Sequence, residues 1–162
     1  MITHRLEDYL VGQNAVFQHT VHPAAPTALT VARQDHVPAR EMAKAVIACA
    51  DGAYLMAVLP ANRSVEFAKL RQILRAEEVR IATEFEMSKL FPDVEVGAVP
   101  PIGALYDLPV LVDETLAREP EIAFNAGTHT DSIHMSYAEF DRLTSPRVCA
   151  FASPAVFATT AQ

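Results

Sequence analysis

Lys44-Ala-Val-Ile-Ala-Cys-Ala-Asp-Gly-Ala-Tyr-Leu-Met-Ala-Val-Leu59 is the stretch that decides the fold. Two apolar runs, residues 44–50 and 54–59, flank Asp51-Gly52. Asp-Gly is a favoured two-residue hairpin turn, so the stretch predicts two antiparallel strands. Side chains alternate along a strand. Lys44 therefore shares a face with Val46 and Ala48, while Ala45, Ile47 and Cys49 line the other. Either face reads as buried, which makes the lysine conspicuous.

Working outward, Thr3 is placed to cap a helix carrying Leu6, Tyr9 and Leu10. Residues 15–21 read as a strand, broken by His22-Pro-Ala-Ala-Pro26. Thr27 caps a short helix with Leu29 and Val31, and Pro38 opens a helical turn through Glu41. Beyond the hairpin, Ser64 is read as the cap of a helix with Phe67, Leu70, Ile73 and Leu74 on its inner face. A short strand over 79–82 follows. Thr83 and Glu86 have capping-box spacing, as do Ser136 and Glu139, and Pro92 and Pro146 stop the two helices. Residues 108–112, 121–124 and 133–135 read as strands, and 114–118 as one helical turn. No period survives from residue 152 onward. The chain is expected to be one domain over 1–151 with a loose tail over 152–162. Helices, a hairpin and irregular strands without regular βαβ alternation imply an α+β fold with a mixed sheet.

The chain has 162 residues, 51% of them hydrophobic, enough to bury a core. A formal net charge of −7 argues against an extended basic footprint for nucleic acid. A local one remains open, because Arg63, Lys69, Arg71, Arg75 and Arg80 fall within a short span. The plain reading of that span is a solvated helix face. Cys49 and Cys149 lie in apolar runs and read as reduced, buried thiols. No apolar run is long enough to span a membrane, and the N-terminus lacks a signal-peptide layout. These features place the expected location in the cytoplasm.

Three segments carry chemistry. Lys44 heads the first strand; it either snorkels to solvent or lines a pocket, where an ammonium binds phosphate or polarises a carbonyl. Gly97-Ala-Val-Pro-Pro-Ile-Gly103 allows positive φ at its ends and is stiffened by Pro100-Pro101. Such a loop is either a tight connection or a set of backbone donors for an oxyanion, from Ala98, Val99, Ile102 or Gly103. In Asn125-Ala-Gly-Thr-His-Thr130, Gly127 permits a turn that presents Thr128 and His129. His129 is a candidate base or orienting group, or simply an exposed loop histidine. His19-Thr-Val-His22 raises zinc, but no further ligands complete a site, and no metal or other cofactor is expected. There is no Gly-x-Ser-x-Gly elbow, P-loop or dinucleotide fingerprint.

In order and spacing, these pieces resemble the freestanding aminoacyl-tRNA deacylases related to the bacterial prolyl-tRNA synthetase editing domain, often called YbaK-like. The resemblance runs from about Val37 to Phe140. Lys44 in Ala43-Lys-Ala45 and the Asp51–Pro60 run carry it first. Gly97–Gly103, Pro109-Val-Leu-Val-Asp113 and Phe124-Asn-Ala-Gly-Thr-His129 complete it. The resemblance implies a mixed α+β domain with a barrel-like central sheet. It implies hydrolysis of the ester joining a small, wrong amino acid to a tRNA, acting in trans. It makes Lys44 the family's lysine and residues 97–101 its substrate loop, and it puts His129 where some members hold a histidine. Catalysis is therefore expected from Lys44 and His129. Substrate contacts are expected from Gly97, Ala98, Val99, Pro100, Pro101, Gly103, Asn125, Gly127 and Thr128. The partner implied is the charged acceptor end of tRNA, with an aminoacyl-tRNA synthetase as a second candidate partner. The alternative class is a non-catalytic module that senses an aminoacyl-nucleotide-like ligand or binds a synthetase.

Overall fold

The computed structural model describes residues 3–155. Thr3 caps α1 (His4–Gly12) by accepting from the Leu6 N–H, and Leu6 and Leu10 are buried beneath it. Strand β1 (Gln18–Val21) is shorter than its pattern suggests. Thr27 and Thr30 form a reciprocal cap on α2 (Ala28–Gln34). Residues 38–41 form a tight turn and not the helical turn expected. Glu41 N donates to Pro38 O at 2.9 Å, and β2 (Met42–Ala50) begins at once.

Strands β2 and β3 (Ala53–Pro60) form the hairpin the sequence predicts, in register from Ala43↔Pro60 to Ala50↔Ala53. Asp51 and Gly52 take φ of +48° and +85°, as this tight turn demands. The Asp51 carboxylate then accepts the N–H groups of Glu77 and Glu78, fixing the hairpin tip.

Ser64 does not cap a helix. It lies in β4 (Arg63–Val65), opposite Ser153 of a late strand over Ala152–Pro154. Helix α3 (Phe67–Leu74) starts from Glu66 without a side-chain cap. The cause is a pairing between chain regions some ninety positions apart, which no local pattern encodes. The same pairing corrects the start of the tail: residues 152–154 belong to the fold, and 156–162 lie outside the described residues.

Strand β5 (Val79–Ile81) is followed by α4 (Glu84–Leu90), whose Thr83–Glu86 capping box is complete. A 3₁₀ turn (Gly103–Leu105) precedes β6 (Val110–Asp113) and α5 (Glu114–Ala117). Then come β7 (Glu121–Asn125), β8 (Asp131–Ser136), α6 (Tyr137–Thr144), β9 (Arg147–Cys149) and β10 (Ala152–Pro154). The Ser136–Glu139 box is half made. Ser136 accepts from Glu139 N, but the Glu139 carboxylate turns to Val16 N and Arg142.

The main sheet runs β1-β8-β7-β2-β3-β6-β9, with β5 also on β2. It is mixed: β2–β7, β3–β6 and β6–β9 are parallel, and the other pairs are antiparallel. On the edge away from β3, strand β2 is shared between two neighbours. Strand β7 takes Met42 and Ala43, and β5 takes Ala48 to Ala50. The ladder is open between them.

One face of β2 buries Ala43 and Ile47 in the main core with Val58, Ile122, Phe124 and Phe140. The other face meets two smaller clusters. Met42 joins Ala25, Val31 and Ala61 under α2, and Ala48 joins Leu59, Leu70 and Phe151 under α3.

Candidate active site

Lys44 stands at the seam between those two clusters, at the first position where β2 loses its neighbour. Burial pushes its ammonium below the ordinary lysine value. Its Nζ donates to Ala61 O at a long 3.4 Å, and no carboxylate pairs with it among the described residues. A half-buried ammonium with one weak partner has unused donors. Continuing the Met42↔Ala123 and Ala43↔Phe124 register puts Asn125 beside Lys44 on the same sheet face. Asn125 is 5% exposed, and its Oδ1 has no hydrogen-bond partner among the described residues.

Three loops converge beyond this point. The first loop and the second are stitched together: Glu95 N donates to Gly127 O at 2.9 Å and Gly127 N to Ala98 O at 3.0 Å. The Glu95 carboxylate accepts the His129 N–H. The third partner is residues 22–26, which the sequence offers only as a break. His22 N donates to Thr130 O, Ala25 N donates to His129 O, and His129 Nδ1 reaches Ala25 O at 3.2 Å. Ala25 also packs in one cluster with Met42 and Ala61, whose carbonyl holds Lys44. Residues 22–26 are thus the bridge from Lys44 to His129.

Gly97 joins the same junction. Its φ is +85°, and a Cβ there would lie 3.6 Å from His129 Cε1 and 3.7 Å from Pro26 O. Gly127, at φ +94°, lies so close to Thr3 that a Cβ would stand 2.7 Å from the Thr3 methyl. The turn of the second loop is therefore packed against the cap of α1. Behind it, Thr128 and Thr130 donate to Asp131, and His19 lies 2.6 Å from its other oxygen. Burial alone would raise the Asp131 carboxyl, but its hydrogen bonds, these among them, hold the group well below the carboxylate range.

Two expected contacts are redirected. Ala98 gives its N–H to Glu95 O at 3.0 Å, so it is not a free oxyanion donor. Gly103 stands apart from the junction. A Cβ there would fall 2.3 Å from Leu108 O and 2.5 Å from Val110, so glycine is required for close packing on β6. Val99, Pro100, Pro101 and Ile102 are buried between these points and hold the loop down. His19 and His22 do not converge: one pairs with Asp131, and the other puts Nδ1 2.8 Å from Pro23 O. Among the described residues, no group of three or more His, Cys, Asp or Glu side chains is arranged to hold a metal. Cys49 is buried as expected, whereas Cys149 is only half-buried.

Residues 22–143 match the profile of the family described as aminoacyl-tRNA editing domain, about three quarters of the chain. The chain is 27% identical over 156 residues to the multifunctional Ser/Thr-tRNA deacylase ProXp-y of Escherichia coli K12, covering 93% of each. It is 29% identical over 99 residues to a proline–tRNA ligase of Dehalococcoides mccartyi, covering 61% of the chain but 16% of the ligase. Among solved structures, hypothetical protein APE2540 superposes with a TM-score of 0.84 at 18% identity, covering 93% of this chain and 100% of that one. A candidate trans-editing enzyme for prolyl tRNA synthetase superposes with a TM-score of 0.79 at 20% identity, covering 94% and 99%. These two likenesses concern the fold.

Proposed function

The chain belongs to the aminoacyl-tRNA editing domain family, and from that premise we propose that it is a trans-acting deacylase. It hydrolyses the ester joining a small, wrongly attached amino acid to the 3′ end of a tRNA. The observation that carries this reading is the Lys44 ammonium: half-buried, held by one long hydrogen bond, and unpaired with any carboxylate among the described residues. A charge kept in that state is available for a developing negative charge on a substrate.

An aminoacyl ester is already activated, so positioning and oxyanion stabilisation suffice. Lys44 faces the ester carbonyl. His129 holds its Nδ1 proton against Ala25 O, which leaves Nε2 as the acceptor for a proton from the attacking water. Water oxygen bonds to the carbonyl carbon, the C–O ester bond breaks, and the tRNA hydroxyl leaves with a proton. Gly97, without a side chain, lets the substrate approach His129. Asn125, Val99 and the turn at Gly127 and Thr128 shape the pocket around the amino acid.

A small pocket discriminates by size at only about 1–3 kcal/mol per methylene. The amino acid is therefore found by testing, and serine and threonine come first because the E. coli relative is named for them. No described helix is long and apolar enough to cross a membrane, in keeping with an enzyme that meets charged tRNA in the cytoplasm. Despite the net charge of −7, α3 packs over the same sheet face as Lys44 and carries exposed Arg71, a cation for the tRNA backbone. A synthetase partner could supply further affinity. The test is a deacylation panel of tRNAs charged with alanine, serine, threonine, cysteine and proline. Release of at least one amino acid well above the spontaneous rate is expected.

A further inference from the structure

His22 takes no part in the hydrolysis above, yet it is the one buried histidine among the described residues, at 7% exposure. Its Nδ1 lies 2.8 Å from Pro23 O. A carbonyl can only accept, so Nδ1 carries the proton and the neutral ring presents Nε2 as a bare acceptor. That Nε2 is buried and has no hydrogen-bond partner among the described residues. His129 is held in the same way, by Ala25 O, two residues further along the same segment. Residues 22–26 thus fix two imidazoles in one tautomer, each with Nε2 free to accept.

The position of His22 ties it to the site. Thr20 and Asn125 both pair with Ser132, on opposite sides of β8, and so share its sheet face. His22 follows Thr20 by two residues, and its N–H extends the ladder to Thr130 O. Its side chain therefore returns to that face, where Asn125 Oδ1 is also a buried acceptor without a partner among the described residues, as is Asp35 Oδ1 beside Ser132. Buried polar atoms in native folds find a partner in protein, ordered water or a bound ligand, and here no protein group among the described residues supplies one.

Resting on the deacylase reading, we propose that His22 Nε2, with Asn125 Oδ1, binds a hydrogen-bond donor of the aminoacyl group and so helps select which ester is cleaved. Two donors fit that chemistry: the α-ammonium and a side-chain hydroxyl.

The test measures kcat/KM on one tRNA esterified with alanine, propionate or serine, each rate divided by that ester's spontaneous hydrolysis. The alanyl/propionyl ratio reports the α-ammonium, and the seryl/alanyl ratio reports the hydroxyl. In the wild type at least one ratio is expected to be about tenfold or more. His22→Phe, which lacks the acceptor, should bring that ratio to within about twofold of one, and His22→Gln should keep it. The ratio that collapses names the donor. A purely structural role would lower all rates together and leave the ratios alone, which overturns the proposal. Wild-type ratios both near one also overturn it. Should His22→Phe not fold, the ¹⁵N resonance of His22 Nε2 in the wild type decides. It should shift on adding a non-hydrolysable seryl-amide or alanyl-amide of 3′-amino-adenosine, and an unmoved resonance contradicts the proposal. Cleavage of no aminoacyl ester would overturn the deacylase reading and this inference with it, whereas cleavage without discrimination overturns this inference alone.

Discussion

Ala25 and His129 hold each other twice: Ala25 N donates to His129 O at 3.0 Å, and His129 Nδ1 donates to Ala25 O at 3.2 Å. The reciprocal pair fixes both the path of the second loop and the orientation of the ring. It also joins that loop to the cluster of Ala25, Met42 and Ala61 beside Lys44. Precision of this kind matters because catalysis by positioning fails over small displacements.

His129→Ala should slow hydrolysis by roughly 10–100-fold, within the range of general acid–base help. The reaction should not stop, since the ester is activated and Lys44 remains. Rapid-quench assays on one charged tRNA measure the effect. A complete loss would instead make His129 the sole base.

Gly97 and Gly103 should respond in opposite ways. Gly97→Val forces a β-branched residue to φ +85° and puts its Cβ beside His129. The backbone strain is about 1–2 kcal/mol, while activity should drop by more than about tenfold because the approach to His129 is filled. Gly103→Ala drives a methyl into Leu108 O and Val110. It should cost about 1–3 kcal/mol or more in stability while the folded fraction stays active. Urea unfolding and specific activity together separate the two. A fully active Gly97→Val enzyme would show that its loop is only a connection.

Much of this was legible in the chain. Asp51-Gly52 between apolar runs specifies the hairpin locally, and the Thr3, Thr27 and Thr83 caps rest on short-range spacing. Lys44 was visible because a cation on an apolar strand conflicts with its surroundings. The split edge of β2 was not visible, since it depends on β5 and β7 arriving from distant parts of the chain. Residues 152–154 and Ser64 were misread for the same reason: two three-residue strands carry no period. His22 looked like half of a weak zinc spacing, because only the tertiary fold shows where its Nε2 ends up.

Asp113 supplies the acid-sensitive element. Burial alone would raise its carboxyl, but bonds from Thr115 and from the N–H groups of Phe151 and Ala152 win, and the group titrates below its ordinary 3.8. With the folded value depressed, the stabilisation is complete above the ordinary value and fades as pH falls through it toward the folded one. Asp113→Ala uncaps α5 and strands the buried Phe151 N–H, at a cost of about 2–4 kcal/mol near pH 7. Chemical unfolding from pH 7 to pH 2 should show the gap between variant and wild type closing in acid. A gap independent of pH would contradict the assignment.

Lys44 is expected to act on the substrate and not on the fold. Single-turnover deacylation of the best substrate in the panel, by wild type and Lys44→Ala, tests it together with the melting temperature of each. Burial already opposes the Lys44 charge, so losing the charge costs the fold nothing, and losing the half-buried stem should lower the melting temperature only slightly. The rate should fall by about 10²-fold or more, as for loss of one preorganised charge contact. An unchanged rate, or a rate loss matched by a collapse in stability, would contradict the account.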